Sequence, residues 1–152
     1  MLRTRIRDAL KAAQKSRDQR RIATLRLILA ALKDRDIAAR GRGDGRDEIG
    51  DEDILGMLQT MIKQRRESVA LYMQGGRDDL VKQETEEIAI IEEFLPKQMN
   101  EKEIAEAVKG VIEELGASTI KDMGRTMAAL KERYAGQMDF AKASGIVKQQ
   151  LG

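Results

Sequence analysis

A single proline, Pro96, interrupts a chain of 152 residues that otherwise repeats its apolar side chains every three to four positions. Proline cannot donate the next helical hydrogen bond and pushes its predecessor toward extended geometry, so a helix must stop at or just before Leu95. Upstream, Leu80, Glu84, Ile88, Ile91 and Leu95 mark one face of that helix, and Ile90 with Phe94 adds a second apolar stripe. Downstream, Asn100 is a good N-cap, and Glu103 is spaced to return a bond to its amide as a capping box. Phe94, Leu95 and Pro96 therefore read as a hinge between two helical units, residues 1–95 and 96–152, with Ile90 and Phe94 free to touch both.

The same spacing predicts an all-α chain, with an N-terminal four-helix unit followed by a small three-helix tail domain. Leu2, Ile6, Ala9, Leu10 and Ala13 mark a first amphipathic helix, and Ile22, Leu25, Ile28, Leu29 and Leu32 a second, joined by a short link at residues 16–18. The run Gly41 to Arg46 breaks the pattern and reads as a loop. Asp51 is expected to cap a third helix, with Glu52 and Asp53 at its positive end and Ile54, Leu55, Leu58, Met61, Ile62, Val69, Tyr72 and Met73 inward. Gly75 and Gly76 stop that helix, and Asp78 or Asp79 starts a fourth, antiparallel to it. In the tail, Ile104, Val108, Val111, Ile112 and Leu115 define a fifth helix closed by Gly116. Ser118 or Thr119 is expected to cap a sixth containing Ile120, Met123, Met127 and Leu130, closed near Gly136. Asp139 caps a seventh with Phe140, Ala143, Ile146, Val147 and Leu151 inward. Gly124, costly in a solvated helix, predicts a close helix approach or a ligand backbone.

Composition narrows the chemistry. The absence of His and Cys removes the commonest general base, the commonest metal ligand, disulfides and thiolate sites. Glu92 and Glu93 are adjacent, hence about 100° apart on a helix, and cannot face one substrate as an acid–base pair. The glycine-rich run lacks the Gly-Lys-Ser/Thr ending of a phosphate-binding loop. Asp44, Asp47, Glu48, Asp51, Glu52 and Asp53 gather carboxylates, but at a spacing that fails the calcium-loop pattern, so no metal and no cofactor are expected. The longest apolar run, Leu27 to Leu32, is far too short for a membrane span. The Arg-rich start runs unbroken into the first helix instead of forming a leader, which reads as a cytoplasmic protein.

The overall charge of +2 hides a segregation. Residues 1–46 carry 14 basic and 5 acidic side chains, residues 47–95 carry 5 and 13, and residues 96–152 carry 9 and 8. Opposed blocks attract one another within the molecule, whereas a basic arm would suit nucleic acid. Arg3, Arg7 and Lys11 fall at i, i+4 and would stack as a basic face able to follow a phosphate chain, and Lys63, Arg65 and Arg66 would form an exposed patch.

Glu87 to Met99, Lys121 to Met127, Tyr134 to Gly136, Asp139 and the closing Ile146 to Leu151, in this order and spacing, resemble the GatB/YqeY family. The resemblance to its small stand-alone members covers essentially the whole chain. From about Leu80 onward the chain is also similar to the tail of the B subunit of the glutamine-dependent amidotransferase that corrects mischarged tRNA. This implies a tail that contacts tRNA, and as partners a tRNA and an amidotransferase or another tRNA-handling enzyme, with no membrane. The family label, carbon–nitrogen ligase with glutamine as amido donor, does not imply catalysis here. The catalytic cradle of the B subunit has no counterpart, and no Ser has the partners of an amidase nucleophile. On this reading Lys121, Arg125, Lys131, Arg133, Lys142 and Lys148 face the RNA, with Lys121 and Arg125 sharing a face. With few aromatics to stack bases, shape and phosphate contacts would dominate. The alternative is a protein-docking module acting through its Met-rich helices, Met57, Met61, Met123 and Met127, although core packing accounts for the same spacing.

Overall fold

The computed structural model describes residues 1–43 and 47–152, and among these it holds seven α-helices, one 3-10 turn and no strand. The all-α class follows from the apolar spacing. Asp44 and the rest of residues 44–46, read above as part of a loop, lie outside the described residues. The chain divides into two compact units, Met1–Leu95 and Pro96–Gly152.

The first unit contains α1 (Leu2–Ser16), α2 (Gln19–Gly41), α3 (Asp51–Gln74) and α4 (Asp78–Glu92). Arg17, in the left-handed region at φ 58°, closes α1, and the Asp18 carboxylate accepts the Arg21 N–H to open α2. Ile6, Leu25, Ile28, Ile54, Leu58 and Ile91 are fully buried in one core. Each such side chain contributes roughly 1.5–3 kcal/mol. Helix α4 ends at Glu92, and its last turn tightens through Glu93 N–H to Ile90 O and Phe94 N–H to Ile91 O. Phe94 enters the first core beneath the Arg5 guanidinium, 5.7 Å from its ring centre.

Two local expectations change. Gly50, not Asp51, is the N-cap of α3; Asp51 is the first helical residue, and its Oδ1 accepts the Leu2 N–H of α1 at 3.3 Å. The carboxylate thus serves the exposed amides of a neighbouring helix start. Met73, expected inward, is 65% exposed, because the α3 contribution to the core ends at Ile62 and the hairpin tip lies beyond it.

The second unit contains α5 (Glu101–Leu115), a 3-10 turn (Ile120–Asp122), α6 (Met123–Arg133) and α7 (Phe140–Leu151). Asn100 and Glu103 form the capping box, at 2.8 and 3.0 Å, and Gly116 closes α5 at φ 63°. The segment after Pro96 is fastened by Met99 N–H to Gln137 O at 2.8 Å and by the Gln98 amide to Gly136 O. Ile104, Val108, Val111, Leu130, Ala143, Val147 and Leu151 form the core, together with Met138 from the α6–α7 connection, which the periodicity did not reveal. Ile120 is 48% exposed, because Thr119 opens a 3-10 turn and α6 starts only at Met123. Nothing lies within 4 Å of where a Cβ would stand on Gly124, so no close helix approach among the described residues explains that glycine.

Candidate nucleic-acid interface

Charge within the second unit is sorted by helix. Residues 101–115 carry five acidic and two basic side chains, whereas residues 117–152 carry six basic and three acidic ones. The six basic residues are those assigned to RNA above, so all six lie from the 3-10 turn onward. Lys121 lies in that turn, Arg125 in α6, Lys131 and Arg133 in the last turn of α6, Lys142 and Lys148 in α7. Cations at the carboxyl end of a helix interact favourably with its dipole.

Three of the six hold internal partners. Arg125 Nε donates to Asp122 Oδ1 at 3.1 Å, Arg133 reaches both oxygens of Glu114, and Lys142 Nζ lies 3.5 Å from Glu101. The N–H groups of Ser118 and Thr119, then Arg125, hold the Asp122 carboxyl below its ordinary range, and the Arg133 guanidinium does the same to Glu114. These pairs are exposed and solvent-screened, so a phosphate can compete for the cations. Lys121, Lys131 and Lys148 are exposed and form no ion pair among the described residues. Lys121 and Arg125 are not on one continuous α-helix as expected; a 3-10 turn carries the first, and the second turns to Asp122. Phe94 is buried and Tyr72, Tyr134 and Phe140 are half-buried, so base stacking on the chain's four aromatic side chains has no ready platform.

In the first unit the expected basic face loses its first member. Arg3 forks onto Asp36 at 2.8 and 3.0 Å, donates to Ile49 O at 3.1 Å and lies 2.7 Å from Glu48. Asp36 also accepts the Ile49 N–H at 2.9 Å, and the Arg3 hydrogen bond holds its carboxyl below the ordinary value despite burial. Arg7 and Lys11 remain exposed and unpaired among the described residues. The opposed charge blocks meet inside this unit: beside Arg3 and Glu48, Arg20 pairs with Glu86 and Arg21 with Glu93. Glu92 goes instead to Arg66, so the adjacent carboxylates do serve different helices. Of the carboxylates near the loop, Glu48 and Asp51 are used in this way, and among the described residues no group of three or more is placed for a metal ion.

Arg65, expected on an exposed patch, is also internal, 2.9 Å from Glu87 and 3.9 Å from Glu84. One guanidinium therefore faces two carboxylates, and Glu84 Oε2 is buried without a hydrogen-bond partner. Burial first, then the charge of Glu87, raises the Glu84 carboxyl, with Arg65 opposing. A raised carboxyl favours folding below its unfolded pKa and loses that contribution as pH rises through the folded value. Glu84→Gln is thus expected to raise stability at pH 7 by up to about 1 kcal/mol, seen as a higher urea midpoint, and to lose this advantage near pH 4. A lower midpoint at pH 7 would mean that the charged form is needed.

The sequence matches the family model for Yqey-like protein over residues 3–151. It is similar to proteins named altered inheritance of mitochondria protein 41, mitochondrial, from three yeasts. In Lachancea thermotolerans the identity is 33% over 111 residues, 72% of this chain and 57% of the relative. In Kluyveromyces lactis it is 32% over 90 residues, 59% and 45%. In Saccharomyces cerevisiae it is 29% over 108 residues, 70% and 56%. The chain spans about half the length of the curated relatives it matches.

Proposed function

The chain belongs to the Yqey-like family, stand-alone relatives of the amidotransferase B-subunit tail, and on that premise we propose that it is a non-catalytic RNA-binding accessory protein. Its second unit contacts the backbone of a tRNA. The observation that carries this reading is the excess of six cations over three acids in residues 117–152, with Lys121, Lys131 and Lys148 free of internal partners among the described residues. Recognition rests on phosphates and shape, because Phe94, Tyr134 and Phe140 pack in or against the two cores and Tyr72 is half-buried. The non-catalytic reading is supported by the absence of His and Cys and by the commitment of Glu92 and Glu93 to separate ion pairs. Docking through the Met-rich helices has less support: Met57 and Met61 are buried, and Met123 and Met127 pack against the second core.

We propose a cytoplasmic location, although the fungal relatives are named as mitochondrial. No described helix is long and apolar enough to cross a membrane.

Binding of total tRNA by the full chain tests the location. Lys121→Ala combined with Lys131→Ala and Lys148→Ala is expected to weaken affinity about tenfold or more, while Arg7→Ala with Lys11→Ala changes it less than about twofold. Equal losses in both variants would move the interface out of the second unit.

A further inference from the structure

Helix α2 is apolar on two sides. Its inner side, with Leu25, Ile28, Leu32 and Ala39, is buried in the first core. Its outer side carries Ala23, Leu27, Ala30, Asp34, Ile37 and Ala38, at steps that bring them onto one face. All six are exposed, Leu27 by 47% and Ile37 by 52%, where an amphipathic helix would present polar side chains. The stripe runs for about four turns, roughly 22 Å. Arg26 and Lys33, two turns apart, line one edge, exposed and without an ion partner among the described residues. Asp34 is the single acidic residue of the stripe.

We propose that this outer face of α2 docks an acidic amphipathic helix of another protein. A row of positions 23, 27, 30, 34 and 37, at alternating steps of four and three and apolar but for Asp34, is the complement of a second helix, and the alanines at 23, 30 and 38 admit its backbone closely. Arg26 and Lys33 select acidic flanks on the incoming helix, and Asp34 fixes register by requiring a donor opposite it. A second copy fits less well, because two such faces are both net positive. Nucleic acid fits less well again, since Leu27 and Ile37 offer nothing to phosphate or sugar. This proposal is independent of the tRNA reading of the second unit.

The test uses the full chain and two fluorescent synthetic peptides of about three heptads. Both have a Leu/Ala seam; one carries Glu at the flanking positions and the other Lys. The Glu peptide is expected to bind at least about tenfold more tightly than the Lys peptide. Leu27→Ser with Ile37→Ser, exposed changes that leave the far-ultraviolet circular dichroism intact, should weaken it about tenfold or more. Arg26→Glu with Lys33→Glu should reverse the preference between the peptides. Equal binding, no binding, or an unaffected Leu27→Ser/Ile37→Ser variant overturns the proposal. So does a dimer in sedimentation that the same variant dissociates, which makes the occupant a second copy. Loss of tRNA affinity in Arg26→Glu/Lys33→Glu also overturns it, by assigning the face to nucleic acid.

Discussion

Asp36→Ala is expected to destabilise the first unit by about 3 kcal/mol, the low end of the cost of breaking a buried ion pair. The substitution removes an acceptor from two groups. The Arg3 guanidinium, only 13% exposed, loses both bonds of its fork and keeps only Ile49 O and the exposed Glu48, and the Ile49 N–H loses its acceptor. Those bonds join α1, α2 and the approach to α3, so the effect is on tertiary closure and leaves the helices themselves intact. The pH dependence has a definite sign. Asp36 is held below its ordinary value in the folded state, so its contribution is present above the unfolded pKa and is lost as pH falls through the folded one. The gap between wild type and Asp36→Ala in urea melts should be full at pH 7 and shrink below about pH 4. A gap that is absent, or that persists unchanged into acid, contradicts the role assigned to this pair.

Met138→Ala is expected to cost about 2–4 kcal/mol, the range for emptying a buried Met site. Its side chain is fully buried among Val108, Leu130 and Val147, in a unit of 57 residues, whose core supplies about as much stability as the substitution removes. Amide-exchange protection at Val108, Leu130 and Val147 should therefore largely disappear. Met138→Leu, which conserves volume, should cost less than about 1.5 kcal/mol. Protection that survives Met138→Ala would mean that the core closes around the cavity or draws its stability from elsewhere.

These two residues show where reading a sequence stops. Helix starts and stops were legible because their causes are local: Asn100 and Glu103 are three residues apart, and Gly75, Gly116 and Pro96 act on their immediate neighbours. Local chemistry was ambiguous where several candidates adjoin, as at Gly50 and Asp51, or where a helix opens through a 3-10 turn, as at Ile120. Long-range ion pairing was legible only as attraction between opposed charge blocks, not as individual partners. Arg3 and Asp36 are 33 residues apart and Arg65 and Glu87 are 22, so the topology brings them together. A hint did exist, since Asp36 falls on the stripe of Leu25, Ile28, Leu32 and Ala39, where an acid must find a partner. Met138 gave none, because it lies between helices, outside any period. For the candidate interface, the sequence supplied the cations and the family resemblance, while the structure separates Lys121, Lys131 and Lys148 from the paired Arg125, Arg133 and Lys142.

The most direct measurement is the affinity of the full chain for total tRNA across a series of salt concentrations, for wild type and for the Lys121→Ala/Lys131→Ala/Lys148→Ala variant. Each phosphate contact releases a counterion, so log affinity should fall linearly with log salt, and the slope should shrink by roughly two to three in the variant. No binding at low salt, or the same slope in both proteins, would contradict an RNA-contacting second unit.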